Sequence, residues 1–498
     1  MGNRSRAALA TLSAFAVVAA LGGCGRETGP SGADPAAAAE FAETLAERID
    51  TDALMAHLQR LQDIADDHDG NRASGWPGFE ASVDYVANAL REAGFDVSTP
   101  EFEVRVFESE PGTLTRAATD FEARALQYAV GTPPEGLTAD LVPVRVSEAP
   151  GCAKPDFDGL PVAGSIVLID RGVCPFTQKV AHAVAAGAAG VVIANNVDEK
   201  EMGGTLGEKT DVKIPVVSVA KADGAQLRAN PGPVTIKVRA ETTTHTARNV
   251  IAQTTTGDTD NVVMAGAHLD SVEEGPGIND NGSGVAGVLE AALQLGSAPP
   301  IRHAVRFAFW GAEELGLVGS NRYIESLDLE ELTAIAMYLN FDMIASPNPG
   351  YFTYDGDQSQ PRNRTDRSPW VPEGSAGIER ALVAYLDSVG KPGRDTSFDG
   401  RSDYAPFTLA GIPSGGLFTG ADDEMDAEEA ELWGGDPGQP FDPNYHKAGD
   451  TIDNVDPTAL GIHGAGVGYI VGLYAQELAG RNGVPVPADR TRHEVAAS

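Results

Sequence analysis

The sequence predicts an α/β fold: a mostly parallel central sheet flanked by helices, with a smaller unit rich in β-strands inserted into it. After residue 246, short apolar strands alternate with helical segments, the pattern of a sheet covered on both faces. Between about 115 and 245 the strands are short, wholly apolar and bounded by Gly and Asn, as in a separate unit. At 498 residues the chain is also long for a single core and fits two or three domains.

Taken in order, "TDALMAHLQRLQDIA" places Leu54, Leu58, Leu61 and Ile64 at helical spacing. A second helix, "PGFEASVDYVANALREAG", opens on Pro77 and stops at Gly94, and "FDVSTPEFEVRVF" then alternates as a strand does. In the inserted unit, "GSIVLIDRG" and "AAGVVIANN" are strands around the helix "FTQKVAHAVAAGA", and "IPVVSVAKADGAQL" adds another strand and helix. After 246 come the strands "NVIAQTT" and "NVVMAGAHLDS", the helix "NGSGVAGVLEAALQL" and the strand "HAVRFAFWG". The helix "GLVGSNRYIESL" follows, then "LTAIAMYLNFDMI" as a helix-strand or a long strand.

A formal net charge of −36 argues against nucleic acid, whose phosphates call for Lys and Arg, and suits a protein kept soluble outside the cell. Arg4 and Arg6 precede "AALATLSAFAVVAALGG", which reads as a secretory signal: about 15 apolar residues fall short of the ~20 of a membrane span. The stretch ends in "LGGC", which resembles a bacterial lipobox with Cys24 as the lipidated first residue; plain secretion is the alternative. If Cys24 carries lipid, Cys152 and Cys174 remain of the three cysteines and can pair in an oxidising compartment. "GRETGPSGADPAAAAE" reads as a flexible tether. No other stretch reads as membrane-spanning, so the mature chain is expected to be anchored rather than threaded.

Polar residues recur where strands of the larger unit end, and in such sheets ligands bind beyond those ends. "VVMAGAHLDS" ends in His268 and Asp270, and "GPGINDNGSG" places Asp280 in a small-residue loop. "VRFAFWGAEE" ends in Glu313 and Glu314, "AMYLNFDMI" carries Asp342, and "PNYHKAGDT" supplies Tyr445 and His446. Each alone reads as a cap or a surface group. Together, two imidazoles and several carboxylates on one edge point to a two-metal site, since Zn²⁺ takes both ligand types and paired ions need a bridging carboxylate. Asp280 is the expected bridge, because its loop allows close approach to both ions.

The inserted stretch "GCAKPDFDGLPVAGSIVLIDRGVCPFTQKVAHAVAAGAAGVVIANN" resembles the protease-associated (PA) domain, which implies pairing of Cys152 with Cys174. The ordered set "AGAHLDS", "INDNGSG", "WGAEELGLVGS", "NFDMI" and "YHKAGDT" resembles the M28 family of zinc aminopeptidases, especially secreted bacterial members. That resemblance implies two Zn²⁺ per chain, with Ca²⁺ as a further candidate, and a zinc-peptidase fold. It implies His268 and Asp342 on one zinc, Glu314 and His446 on the other, and Asp280 between them. Glu313 would be the general base toward the water, Asp270 would hold the His268 imidazole, and Tyr445 would hydrogen-bond the oxyanion. Arg401, in "FDGRSDYAPF", and Phe418, in "IPSGGLFTGADDE", would line the substrate pocket. In one respect the chain departs from the family: secreted relatives often carry a disulfide around the last His, where this chain has Asn444 and Gly449.

The resulting map is a signal over 1–24, a tether over 25–48, a peptidase domain over 49–114 and 246–480, a PA domain over 115–245 and a tail over 481–498. The expected protein is a monomeric, extracytoplasmic aminopeptidase, lipid-anchored to a bacterial membrane or secreted, that takes peptides with neutral or apolar first residues. A glutamate-releasing carboxypeptidase and a non-catalytic receptor are the alternatives. The first needs several Arg converging on carboxylates, whereas Arg362, Arg364, Arg367, Arg380, Arg394 and Arg401 form no compact cluster in the sequence.

Overall fold

The computed structural model describes residues 35–198, 202–360, 371–479 and 483–495, so Cys24, the signal segment, Arg362, Arg364 and Arg367 lie outside the described residues. Among those residues the larger unit has an eight-stranded sheet. From edge to edge its strands are Asp96–Ser98, Val250–Gln253, His303–Trp310, Asp258–His268, Ile335–Phe341, Ser414–Phe418, Phe352–Tyr354 and Arg394–Thr396. The four central strands are mutually parallel, and antiparallel pairs appear toward the edges.

Alternation explains why these strands are apolar throughout. Val263, Ala265, Phe307, Phe309, Met337 and Leu339 face one core with helices Thr51–Asp67, Gly284–Leu295 and Pro457–Gln476. Met264, Ala308, Trp310 and Tyr338 face another with Ile324, Tyr404 and Phe407. Successive side chains point to opposite faces, so a sheet covered on both sides leaves little room for polar residues before the strand ends. Arg306 is admitted through its bonds to Gln253 and Tyr323. The register pairs His268 with Trp310 and Gly266 with Asn340, which aligns those ends.

The smaller unit is a closed barrel of seven strands beginning at Gly112 and ending at Lys237, with Cys152 and Cys174 joined at a Cα–Cα distance of 5.8 Å. A two-stranded ribbon, Glu101–Ser109 against Ala240–Arg248, lies between barrel and sheet. The expected boundaries at 114/115 and 245/246 both fall inside strands: the first barrel strand is Gly112–Arg116, and the ribbon runs on to Arg248.

Three sequence expectations need correction. The tether read over 25–48 is helical from Pro35 to Glu47, with Ala38, Ala42, Leu45 and Ala46 buried. Its partner is the helix Pro457–Gln476, where a Cβ added at Gly472 would come within 3.0 Å of the Ala42 Cα. Small residues on both sides let two backbones approach closely, so an alanine run that looks featureless has a packing face. The same Pro457–Gln476 helix is long and apolar enough to cross a membrane, contrary to the reading that no such stretch remained, but 67% of its apolar window is buried in the fold. Finally, part of the expected tail is docked: Arg490 donates to the carbonyls of Thr333 (2.7 Å) and Asp260 (3.0 Å), and Arg492 to those of Ile335 (2.8 Å) and Leu332 (3.1 Å).

Candidate active site

Four site residues sit where a buried strand gives way to a turn. Asp280 instead lies in the helical turn Ile278–Ser283, and Tyr445 and His446 lie in the loop after the helix Ala427–Trp433. His268 ends its strand, and Asp342 directly follows Ile335–Phe341. The chain leaving Trp310 turns through Ala312, at a left-handed φ of 56°, to Glu313 and Glu314. Met343 (φ 51°) and His446 (φ 55°) are likewise left-handed, a conformation side chains adopt only when their surroundings enforce it. Asn281 stitches two of these segments together, donating to the Phe341 carbonyl at 2.9 Å and accepting from Met343 N–H at 3.2 Å.

The distances fall into two sets that share Asp280. His268 Nε2 lies 3.2 Å from Asp280 Oδ1 and 3.3 Å from Asp342 Oδ1, while His446 Nε2 lies 3.3 Å from Asp280 Oδ2 and 3.0 Å from Glu314 Oε2. The two oxygens of one carboxylate therefore address two different imidazoles. Glu313 Oε2 is 4.0 Å from His268 Nε2 and belongs to neither pair of close contacts.

Asp270 works differently from expectation. Its backbone carbonyl, not its carboxylate, takes the His268 Nδ1 at 3.1 Å, which fixes the ring with Nε2 toward the site. Its carboxylate, 3.8 Å from that nitrogen, instead accepts the backbone N–H groups of Glu313 (3.0 Å) and Glu314 (3.3 Å). The adjacent glutamates are thus held by one buried aspartate beneath their turn.

Burial raises the Glu314 carboxyl to about 7 and carries Glu313 well above the usual range. Burial also opposes charge on the histidines, yet the surrounding carboxylates lift His446 to about 10 and His268 well above 6.5. Such a cluster lacks positive charge. Glu314 Oε1 is buried with no hydrogen-bond donor and Asp342 Oδ1 faces only the His268 ring at 3.3 Å, and such poorly paired buried oxygens are costly unless a cation meets them. Imidazole nitrogens and carboxylate oxygens at this spacing are the donor set of Zn²⁺, so the residues fit that metal.

Tyr445 stacks on the His446 ring at 3.9 Å, and its hydroxyl accepts from Arg401 at 3.2 Å. Burial pushes its phenol upward, so it stays protonated at neutral pH. Arg401 and Phe418 line the same cavity of about 150 Å³ as Glu313, Asp280 and Tyr445. A second acidic group, Asp355, Asp357 and Glu379, has the all-oxygen character Ca²⁺ favours, but it accepts N–H groups from Asp357, Ser359 and Gln360, which satisfy it locally.

Residues 249–471 match peptidase family M28, and 137–227 match the PA domain. Over 500 residues the chain is 62% identical to a probable lipoprotein aminopeptidase, LpqL, of Mycobacterium tuberculosis, covering 100% of both. The chain belongs to peptidase family M28. The chain is also 44% identical to an aminopeptidase of Pseudomonas aeruginosa, over 84% of this chain and 79% of that one. Among solved structures, the aminopeptidase from Aneurinibacillus sp. strain AM-1 matches with a TM-score of 0.61 at 28% identity, covering 86% of this chain and 95% of that one. A zinc aminopeptidase from Bacillus subtilis matches with a TM-score of 0.51 at 28% identity over 85% and 94%. As an M28 member with this fold, the protein is a metallo-exopeptidase carrying a PA domain.

Several residues of this M28 site escaped the sequence reading. Ser402 donates to Asp342 Oδ2 at 2.6 Å, and Asp403, its carboxyl raised to about 7 by burial, lies close enough for its charge to act on Glu313. Arg72 is wholly buried, donating to the carbonyls of Leu269, Pro276 and Gly277 in the loop between His268 and Asp280. Nothing in "GNRAS" marks that arginine, because its partners are backbone atoms of a segment some two hundred residues away.

Proposed function

We propose that the chain is a two-zinc aminopeptidase of the extracytoplasmic space, anchored through Cys24 or secreted, that releases neutral or apolar N-terminal residues from peptides. The observation that supports this most is the shared carboxylate: Asp280 presents one oxygen to His268 and the other to His446. In this reading His268 and Asp342 hold one zinc, Glu314 and His446 the other, and Asp280 both. When bound, the ions polarise the scissile carbonyl and acidify water.

Glu313 is the general base. Burial and neighbouring carboxylates raise its proton affinity, which suits it to take a proton from the attacking water and return it to the leaving amine. Tyr445, kept protonated by burial, donates to the developing oxyanion, and Arg401 fixes the phenol's direction. Asp270 keeps Glu313 and Glu314 in register, so the two glutamates act in one turn without exchanging roles.

The charge of the pocket supports an amino- over a carboxypeptidase. Among the described residues its lining holds Asp399 and Asp423 but a single guanidinium, Arg401, already engaged with Tyr445. A substrate ammonium suits that field, and a C-terminal carboxylate does not. Phe418, packed 6.1 Å from the Phe352 ring, supplies an apolar wall for the first side chain. The test is a leucine amide substrate beside an N-blocked peptide ending in glutamate, with chelator and zinc add-back. Only the free-amine substrate should turn over, with activity lost to chelator and restored by zinc. Release of glutamate alone would overturn the proposal.

A further inference from the structure

We infer that Asp450 is the positioning residue that locks the bridging carboxylate of Asp280 to the loop carrying Tyr445 and His446. The inference rests on the two-zinc reading and adds to it a determinant of zinc affinity.

Three consecutive N–H groups of the Asp280 segment end on this one residue. Ile278 N–H donates to the Asp450 carbonyl at 3.0 Å, Asn279 N–H to Oδ1 at 2.8 Å, and Asp280 N–H to Oδ2 at 3.0 Å. Asp450 is 2% exposed and lies four residues after His446, with its own N–H on the Lys447 carbonyl at 3.1 Å. A displacement of the loop therefore moves the bridging ligand and the last histidine together.

The rest of the loop is tied by side chains around Asn444. Asp442 accepts from Asn444 N–H at 2.8 Å, from Asn279 Nδ2 at 2.6 Å and from Asn454 Nδ2 at 2.9 Å. Asn444 in turn donates to Asn454 Oδ1 at 2.6 Å. Asn279 belongs to the bridging segment and Asn454 follows the loop, so a closed circuit of buried hydrogen bonds spans both sides of the site. Gly449 makes room for it: a Cβ at that position would sit 2.2 Å from the Asn444 amide oxygen and would displace that side chain. Buried networks of this kind specify one geometry only while every member is satisfied.

An amide at position 450 tests the inference. Asp450→Asn keeps the volume and one acceptor but turns a donor toward one of two backbone N–H groups. Partners that orient metal ligands typically carry 10–100-fold in metal affinity, so the weaker zinc of D450N should bind ~10–100-fold less tightly in chelator competition. The metal-free protein should lose some melting temperature, because an amide donor then faces a buried N–H, but the rise on adding zinc should shrink as well, so that the loss is larger with zinc than without it. Asp450→Glu keeps both oxygens on a longer stem and should fall between wild type and D450N, and it serves as the test should D450N not fold. Unchanged zinc affinity in a folded D450N or D450E, or equal losses of stability with and without zinc, would overturn the assignment. A wild-type protein that binds no zinc would instead defeat the two-zinc reading beneath it.

Discussion

Replacing Arg72 with methionine should destabilise the peptidase domain by ~3 kcal/mol, and the figure follows from two opposing terms. The guanidinium satisfies three buried carbonyls, those of Leu269, Pro276 and Gly277. Leaving each such acceptor without a donor costs ~1–3 kcal/mol, so their loss sums to about 3–9 kcal/mol. Against this stands the cost of burying the charge: desolvation lowers the guanidinium from 12.5 to about 10 despite the nearby Asp270, Asp450 and Asp280, which corresponds to ~3 kcal/mol. Methionine removes both terms, leaving a net loss centred near ~3 kcal/mol. Urea denaturation of the zinc-loaded enzyme reads it directly, and Arg72→Lys, which can reach fewer of the carbonyls, should also lose stability. A methionine variant within ~0.5 kcal/mol of wild type would show that water or a shifted loop serves those carbonyls, and the compensation argument would be wrong.

Glu313→Gln should lower kcat by ~10²–10⁴-fold with zinc content near normal, whereas Glu314→Ala should lose one metal; two active variants that both keep two zincs would refute the division of labour. His463 is buried against Tyr351 and held at about 4, below its ordinary 6.5, chiefly by burial. The unfolded chain therefore takes the proton first. The His463 contribution to stability is complete above pH 6.5 and falls by ~3 kcal/mol as pH drops from 6.5 to 4, and His463→Phe should flatten that limb of the denaturation midpoints. Removing the Cys152–Cys174 bond, which closes a loop of sequence separation 22, should cost the barrel ~3 kcal/mol. Hydrogen exchange should then rise in the barrel strands and not in the peptidase sheet; a uniform rise would contradict the separate cores.

The central sheet and its ligand-bearing ends were legible because both follow from burial: apolar strands such as Ile335–Phe341 end abruptly in Asp342. The ordered motifs did the rest, placing His268, Asp280, Glu314 and His446 in a shared site before any distance was available. Contacts that hold those residues were not legible, since Arg72, Asp270 and Asp450 act largely on backbone atoms, which carry no side-chain signature. The helix Pro35–Glu47 was missed for a related reason. Its Ala-rich sequence resembles a linker until the glycines at 468 and 472 are seen to leave room for it.

That glycine seam fixes how far the enzyme can roam. With Pro35–Glu47 cemented to the last long helix, only residues 25–34 separate Cys24 from the folded body, and about ten residues extend at most ~35 Å. A chain moored at Cys24, as proposed, would work on a short leash, sampling peptides within a few nanometres of the bilayer.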